Sequence, residues 1–321
     1  MKQITFFSYK GGSGRTTTLF NTLPFLAKEC NATKDHPLII FDMDYRSAGI
    51  TILFGEQDKY LAKDVEDFEN GKKRSVQYIL FDKERDFFVE DFEDLKKHFA
   101  VAVGNRAGVE DNDSILLIGA NIHLEANEVS SKENNYRLGE MVEQLEELGA
   151  SCIVYDSPAG TQISANSSVD NSDVIVCCMR PSYQFRETTF DYLGNYVHNN
   201  AANVNKRSFI LLPTAVPIKD FLINGEYQVN NAFNDITTRI NDLNLYAFRL
   251  NNLRGEDNLF IDASMITEGN IGIPEIERFK WNEKYNLYSL NNFNENELTE
   301  LELYAMNRYN NLAKLIMFRT K

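Results

Sequence analysis

Residues 6–18 read FFSYKGGSGRTTT and combine closely spaced glycines with hydroxyl side chains, which is typical of a loop that binds phosphate. Glycines allow backbone N–H groups to curl around phosphate oxygens, and a helix that starts directly after the loop adds favourable dipole potential. The common motif, G-x-x-x-x-G-K-[ST], has lysine where this chain has Arg15, and here a lysine, Lys10, precedes the glycines instead. Thr16 stands where the hydroxyl ligand of magnesium belongs. These residues predict a phosphate site of unusual design.

Two aspartates, Asp42 and Asp44, follow the apolar run LIIF one residue apart. Alternate residues of an extended chain face the same way, so both carboxylates can face the phosphate site. One of them could orient an attacking water or support a magnesium ion. The alternative is a pair of turn-forming aspartates, which are common after any strand.

A third acid, Asp156, ends the apolar run CIVYD and is followed by SPAG. An acid at the end of such a strand occupies the Walker B position, where it binds magnesium directly or through water. Ser157, Pro158, Ala159 and Gly160 then combine a stiff and a flexible residue, which suits a loop that senses the γ-phosphate. The loop, the aspartate pair and this acid each follow a strand-like run, so chance is a poor explanation.

Continuous apolar runs predict the strands that position these residues, at 3–8, 38–42, 115–119, 152–156, 173–179 and 208–213. Runs without alternation are expected for parallel strands covered on both faces. Apolar positions at helical spacing predict helices over 16–28, 134–149 and 186–198. Together they indicate an α/β fold with a doubly wound, mostly parallel sheet flanked by helices. Ligands of such sheets bind at the carboxyl ends of the strands, where all three signals fall.

The chain is interpreted as a single domain over residues 1–321, because it has no repeat and no linker rich in Pro, Gly or Ser. Residues 56–113 mix charges of both signs and are expected to form an exposed, partly helical insertion. Residues 296–318 carry apolar side chains at helical spacing and predict a C-terminal helix that docks on the sheet.

Charge and hydropathy limit the classes of partner. The formal net charge is −14, which argues against broad, non-specific DNA binding. No apolar run approaches the roughly 20 residues of a membrane-spanning helix, and the N-terminus has no basic-then-apolar leader. We therefore expect a cytoplasmic protein. Cys152, Cys177 and Cys178 lie in apolar runs and are expected to be buried, reduced thiols.

Lys10 ahead of the loop, DMD after the second strand and DSPAG after the Walker B strand resemble the deviant-Walker P-loop ATPases (SIMIBI class). That family includes the ParA partition proteins, the cell-division ATPase MinD and the nitrogenase iron protein. FFSYKGGSGRTTTLFNTL is similar to the KGGxGR-motif branch, in which an arginine replaces the loop lysine. The resemblance spans roughly residues 1–215, and beyond them only GIPEIERF, residues 272–279, is loosely similar. It implies a P-loop NTPase fold with a deviant Walker A loop that binds ATP and Mg²⁺.

The resemblance also implies roles for single residues. Lys10 would reach across a nucleotide-sandwich homodimer to the phosphates of the other subunit. Asp44 would orient the attacking water, with Asp42 supporting it. The residues implied to bind the phosphates are Lys10, Gly11, Gly12, Ser13, Gly14, Arg15, Thr16 and Thr17. Those implied at the magnesium ion are Thr16, Asp156 and Asp42, and residues 157–160 would form switch II.

Arg15 is the departure from the common loop. Arginine keeps the positive charge and offers a fork of donors, but it is bulkier than lysine. ATP binding is therefore expected, while the rate of hydrolysis stays open. The run SFILLP leads into TAVPIKD without an N-K-x-D motif, which favours ATP over GTP, with Pro213 and Thr214 as adenine contacts.

The leading hypothesis for function is an Mg²⁺-dependent switch that dimerises on ATP binding and hydrolyses ATP slowly, stimulated by a protein partner. Resemblance to arginine-loop relatives implies a regulatory or antiviral-defence ATPase. One alternative is a nucleotide-binding scaffold with little turnover. Another is a ParA-like ATPase that partitions DNA or cargo, which the acidic charge opposes. Membrane cycling would need a basic amphipathic tail, whereas the terminal LAKLIMFRTK has few basic residues and favours a docked helix.

Overall fold

A mostly parallel β-sheet carries the segments singled out above. The computed structural model describes residues 1–61, 70–81, 87–124, 131–200, 206–217, 222–223, 226–227, 234–251, 260–262, 272–280, 286–288 and 298–319. The strands are β1 (Lys2–Ser8), β2 (Leu38–Asp42), β3 (Ala100–Ala102), β4 (Ile115–Ile118), β5 (Cys152–Ala159), β6 (Val174–Met179), β7 (Ser208–Pro213), β8 (Leu222–Ile223), β9 (Glu226–Tyr227) and β10 (Phe260–Asp262).

The main sheet has eight strands in the order β10-β7-β6-β1-β5-β2-β4-β3. Its pairs are parallel except for β3, which runs antiparallel to β4 at one edge. Strands β8 and β9 form a separate antiparallel pair. The predicted fold class is confirmed, because the strand order reverses direction on either side of β1 as in a doubly wound sheet.

Helices cover both faces of the sheet. They are α1 (Arg15–Glu29), α2 (Gly49–Leu53), α3 (Val76–Phe81), α4 (Phe92–His98), α5 (Gly104–Ala107), α6 (Ser131–Glu147), α7 (Ile163–Asp170), α8 (Tyr183–Asn199), α9 (Asn234–Asn251) and α10 (Glu300–Arg319). On one face, strand residues such as Ile4 and Val154 share a core with α1 and α10. On the other face, Phe7 packs in a core with α7, α8 and α9, and Ile153 in one with α3, α4 and α6.

Strand β5 is longer than the sequence predicts, because it continues through Pro158 to Ala159. Its register against β1 shifts between Asp156 and Ala159, which marks a bulge. A bulge interrupts the ladder of hydrogen bonds, so a proline, which has no N–H to donate, is tolerated there. The predicted switch II therefore starts inside the strand, and the chain turns away only at Gly160, whose φ is 86°.

The charged segment 56–113 is less exposed than its composition suggests. It supplies β3, the antiparallel edge of the main sheet, together with α3, α4 and α5. Tyr60, Leu95 and Val103 within it are fully buried. Its described charged residues other than Glu56 are half-buried or exposed. Residues 62–69 and 82–86 of the predicted insertion lie outside the described part of the chain.

The predicted C-terminal helix is present as α10, which begins at Glu300, while residues 296–297 of the prediction lie outside the described residues. It packs mainly on α1 and shares that helix's core with the sheet. Thr299 caps its N-terminus in a capping box: the Thr299 N–H donates to Glu302 Oε2 at 2.8 Å, and the Glu302 N–H donates to Thr299 Oγ1 at 3.3 Å. Arg278 Nε also donates to Glu302, at 2.7 Å, which ties the 272–280 segment to the helix.

Within the described ranges, no helix is both long enough and apolar enough to cross a membrane. Cys152, Cys177 and Cys178 are free and buried, as predicted, and Cys30 is a half-buried free thiol.

Candidate functional site

The glycine-rich loop joins β1 to α1 at the carboxyl edge of the sheet. Gly12 and Gly14 have φ angles of 74° and 77°, in the left-handed region that glycine adopts without strain. Gly14 directly precedes α1, and its carbonyl accepts the Thr18 N–H at 2.9 Å. The N-terminus of α1, with its partial positive charge, therefore lies at the loop, as an anion site requires.

Two side chains from other strand ends brace the loop. Arg180, directly after β6, donates from Nε to the Gly12 carbonyl at 2.7 Å. Thr214, directly after β7, donates its hydroxyl to the Ser13 carbonyl. Carbonyls held in this way suit a loop whose N–H groups serve an anion. The sequence predicts Thr214 as part of the site, whereas Arg180 carries no local motif that would single it out.

Thr16 and Asp156 meet, as the loop motif and the Walker B position together predict. The Thr16 hydroxyl donates to Asp156 Oδ2 at 2.9 Å, and Asp156 is fully buried in β5. Gly49, the first residue of α2, lies so close that a Cβ there would be 3.3 Å from Thr16 Oγ1. Glycine at this position lets α2 approach the loop.

Asp42 is the register partner of Asp156 on the neighbouring strand. Its Oδ2 accepts the Thr51 hydroxyl at 2.6 Å and the Thr51 N–H at 3.0 Å. Its Oδ1 is buried without a hydrogen-bond partner in the described part of the chain. Burial, followed by the nearby Asp156 carboxylate, raises the pKa of Asp42 well above its ordinary value, although the bonds from Thr51 oppose this. Thr51 is a supporting residue that the sequence analysis misses.

The side chain of Arg15 lies among the carboxylates. Its Nε donates to Asp156 Oδ1 at 2.7 Å, and its Nη2 donates to Asp44 Oδ2 at 2.9 Å. A longer contact of 3.2 Å joins Nη2 to Thr16 Oγ1. Only 7% of the Arg15 side chain is exposed, so these are buried, charge-assisted contacts. This arrangement differs from the phosphate-facing role that the resemblance implies.

The charges of this cluster depend on one another. Burial by itself lowers the pKa of Arg15, but the carboxylates of Asp156 and Asp44 outweigh it and raise that pKa. Burial raises the pKa of Asp156 even though the Arg15 guanidinium opposes the shift. Removing one partner would leave an uncompensated buried charge, which is strongly destabilising.

Asp44 and Lys10 occupy different parts of the site. Asp44 is 15% exposed and reaches the cluster through Arg15. Lys10 is half-buried, and its Nζ lies 5.9 Å from the centroid of the Phe185 ring. The structure therefore brings Asp42, Asp44 and Asp156 together with Thr16 and Arg15, and places Lys10 apart from them, over an aromatic side chain at the start of α8.

The segment predicted as switch II, residues 157–160, is anchored at both ends. Ser157 and Pro158 are buried within β5, and the Gly160 N–H donates to the Ser8 carbonyl at 3.0 Å. Ser8 is the last residue of β1, directly before the loop. The end of this predicted switch and the start of the glycine-rich loop are therefore joined by a backbone hydrogen bond.

A small cavity of about 140 Å³ lies beside the loop, on the side of β7. The chain lines it with Thr17 and Thr214 and, from the 272–280 segment, with Ile273, Pro274 and Phe279. Charged groups of Arg180, Glu275 and Lys280 also line it. Apolar walls combined with a few polar and charged groups are typical of a site for a small ligand such as a nucleobase. Pro213, the other predicted adenine contact, does not line this cavity, but its carbonyl accepts the N–H of Ile273 in the cavity wall at 2.8 Å.

A larger cavity of about 710 Å³ lies between α6, α7 and α8. Its described lining includes Asp170, Asp191 and Tyr192 and contains no lysine, arginine or histidine. Such a lining does not suit a triphosphate. We therefore place the candidate nucleotide site at the loop.

The oxygen donors at the loop suit magnesium, which takes oxygen ligands and is commonly bound through one or two carboxylates and substrate phosphates. Thr16 Oγ1 and Asp156 Oδ2 lie 2.9 Å apart, and Asp42 Oδ1 is a buried acceptor without a described partner. No described group of three or more His, Cys, Asp or Glu side chains is arranged to hold a metal ion by itself. The residues fit a magnesium ion that takes some of its oxygen ligands from the protein and the others from a bound phosphate.

A strand that leads through a glycine-rich loop into a helix, within a doubly wound sheet, defines the fold of the P-loop nucleotide-binding proteins. The described part of the chain has the fold of the ParA- and MinD-type ATPases. It aligns with a variant of Cyanothece McdA in complex with ATP, at a TM-score of 0.57 and 13% identity, over 99% of this chain and 96% of that one.

Two further solved structures are similar. A Borrelia burgdorferi B31 protein described as a plasmid partition protein, bound to AMPPNP, aligns at a TM-score of 0.56 and 17% identity over 100% of this chain and 99% of that one. MinD of Pyrococcus horikoshii OT3, complexed with Mg-ADP, aligns at 0.51 and 13% identity over 98% of this chain and 95% of that one. No family model and no curated protein matches the sequence.

Proposed function

We propose that this protein is an ATP-dependent dimerisation switch with slow hydrolysis. One observation carries the proposal: a glycine-rich loop at a helix N-terminus lies against acids from two further strand ends. Thr16 bonds to Asp156, and Arg15 links Asp156 to Asp44. The three similar structures, which their descriptions give as complexes with ATP, AMPPNP and Mg-ADP, support the choice of nucleotide.

Each part of the site has a place in this function. The N–H groups of residues 11–17 and the N-terminus of α1 hold the phosphates. Thr16 and Asp156 would hold Mg²⁺, which would neutralise charge that develops on the phosphates. Asp44, the more exposed acid, orients the attacking water, and Asp42 supports it from the buried side. The cavity beside Thr17 and residues 273–279 takes the adenine.

The switch depends on Lys10 and on the end of β5. Lys10 lies apart from the carboxylates, so it can serve the phosphates of a second subunit. The bond from Gly160 to Ser8 joins switch II to the loop, so a change at the phosphates alters the backbone that follows. A protein partner in the cytoplasm binds the ATP-bound dimer and stimulates hydrolysis, and the protein acts as a regulatory or antiviral-defence ATPase.

Light scattering with and without ATP tests the proposal. The mass of the wild type and of Asp44→Ala should rise from 36.8 kDa towards twice that value when ATP is added. Lys10→Ala should stay monomeric while it still binds nucleotide, and Lys34→Ala, which removes an exposed lysine outside the site, should behave as the wild type. If wild type and Asp44→Ala both remain monomeric in ATP, the switch is refuted.

Arg15 favours a second candidate, a nucleotide-binding scaffold with little turnover, because the guanidinium engages both acids that hydrolysis would use. Phosphate release separates the two candidates. The switch predicts that Asp44→Ala lowers the rate at least about tenfold. A wild type that hydrolyses ATP no faster than Asp44→Ala, yet dimerises with ATP, would establish the scaffold.

A further inference from the structure

Arg15 contacts the groups to which the proposed function assigns the metal and the attacking water. Its Nε is 2.7 Å from Asp156 Oδ1, and its Nη2 is 2.9 Å from Asp44 Oδ2 and 3.2 Å from Thr16 Oγ1. Asp156 is fully buried and Arg15 nearly so. The position between these oxygens is therefore held by a cation that belongs to the chain itself.

A second cation cannot share that position. A magnesium ion bound to the same oxygens would lie within a few ångströms of the guanidinium, and like charges repel strongly where water is excluded. The guanidinium cannot yield the position by losing a proton, since arginine keeps its charge in proteins. The guanidinium has to move before the ion can bind.

We propose that Arg15 is a tethered cation that competes with Mg²⁺ for Asp156 and Thr16, so that metal enters only together with a triphosphate. This rests on the proposed function, because the phosphates of ATP are what draw Arg15 from the carboxylates. Phosphate oxygens offer the guanidinium the same paired geometry that a carboxylate does. The magnesium position is thereby closed to free metal and opens as nucleotide binds.

The shape of arginine explains why a lysine at this position would not compete with Mg²⁺ in the same way. The two donors in use, Nε and Nη2, lie along one edge of the planar guanidinium and reach carboxylates from two different strand ends at once. Lysine presents a compact ammonium at the end of a flexible stem, without a rigid fork. With arginine instead of lysine at position 15, the side chain therefore occupies the metal position until nucleotide binds.

Binding of Mn²⁺ in place of Mg²⁺, followed by electron paramagnetic resonance, tests the proposal without any readout of activity. Wild-type protein without nucleotide should bind Mn²⁺ at least tenfold more weakly than Arg15→Gln, and should gain one tight site when AMPPNP is added. Arg207→Gln is the matched control, because Arg207 lies before β7 at the opposite edge of the sheet and bonds to the backbone carbonyls of Val169 and Asp170. It should bind Mn²⁺ as the wild type does.

If Arg15→Gln does not fold, Arg15→Lys tests the proposal instead, since lysine keeps the positive charge but cannot contact both carboxylates at once. It should bind Mn²⁺ severalfold more tightly than the wild type without nucleotide. Equal Mn²⁺ affinity in wild type and the folded Arg15 variant would overturn the proposal. Failure of the proposed function would look different: AMPPNP would add no site to the wild type, while the contrast between wild type and variant without nucleotide would persist.

Discussion

Thr51→Val tests whether α2 holds Asp42 in place beneath the site. The Thr51 hydroxyl donates to Asp42 Oδ2 at 2.6 Å and accepts the Ala120 N–H at 3.1 Å, and the side chain is fully buried. Valine has a similar shape but no hydroxyl, so it removes both hydrogen bonds with little change in packing. The Thr51 N–H, at 3.0 Å, remains as the one bond to Oδ2 that the structure shows.

The magnitude follows from these contacts. Loss of the bond to the carboxyl costs about 1 kcal/mol, and the Ala120 N–H, left buried without a partner, costs about 1–3 kcal/mol. The free energy of unfolding should therefore fall by about 2–4 kcal/mol. Thr22→Val is the matched control, since Thr22 is equally buried but its hydroxyl only donates to the Thr18 carbonyl within α1. That variant should lose about 0.5–1 kcal/mol.

Urea unfolding followed by circular dichroism, without nucleotide, measures both variants. The reasoning is refuted if Thr51→Val loses no more stability than Thr22→Val. It is also refuted if Thr51→Val loses less than about 1 kcal/mol, because a buried N–H without a hydrogen-bond partner costs at least that much free energy.

The remaining predictions concern the stability of the chain around the site. Gly160→Ala should lose about 1–2 kcal/mol of stability by urea unfolding, because its φ of 86° strains an L-residue although a Cβ there meets no atom closer than 3.7 Å. Gly139→Ala, in mid-α6 with open space around it, should instead gain up to about 1 kcal/mol, and a loss at both sites would contradict the argument. Burial alone raises the pKa of Glu302, but hydrogen bonds from Arg278 and Thr299 outweigh it and leave that pKa lowered. Glu302→Gln should therefore cost about 1 kcal/mol at pH 7. This cost should shrink below pH of about 4.3, the ordinary glutamate value, and vanish beneath the lowered pKa; a cost that is constant across a thermal-unfolding series from pH 7 to 3 would contradict it.

The strands and the acids at their ends could be predicted from the sequence because buried parallel strands are continuous apolar runs, and their carboxyl ends must lie at one edge. The place of Asp42, Asp156 and Thr16 in the site could be predicted in this way. The extension of β5 was not, since Pro158 is normally read as the end of a strand and only the bulge against β1 accommodates it. The edge strand β3 was hidden because it has only three residues within a charged segment.

Other parts of the site depend on contacts between residues far apart in the chain. The direction of the Arg15 side chain is decided by Asp44 and Asp156, which are remote in sequence, so loop chemistry alone predicts a phosphate contact. The wall of the small cavity, residues 272–280, has no periodic pattern and acquires its position from backbone bonds to Pro213 and Val216 and from the bond of Arg278 to Glu302. No local rule could have placed it beside Thr17.

These long-range contacts also determine how the two halves of a nucleotide would be held. The cavity wall is tied to α10 through Arg278 and Glu302, and α10 packs on α1. The first residue of α1 is Arg15, and its N-terminus forms the phosphate end of the site. Base and phosphates would therefore rest on one packed pair of helices. Under the proposed function, the parts free to respond to hydrolysis are then the side chain of Arg15 at the start of α1 and, outside that pair of helices, Asp44, Lys10 and the chain that follows Gly160.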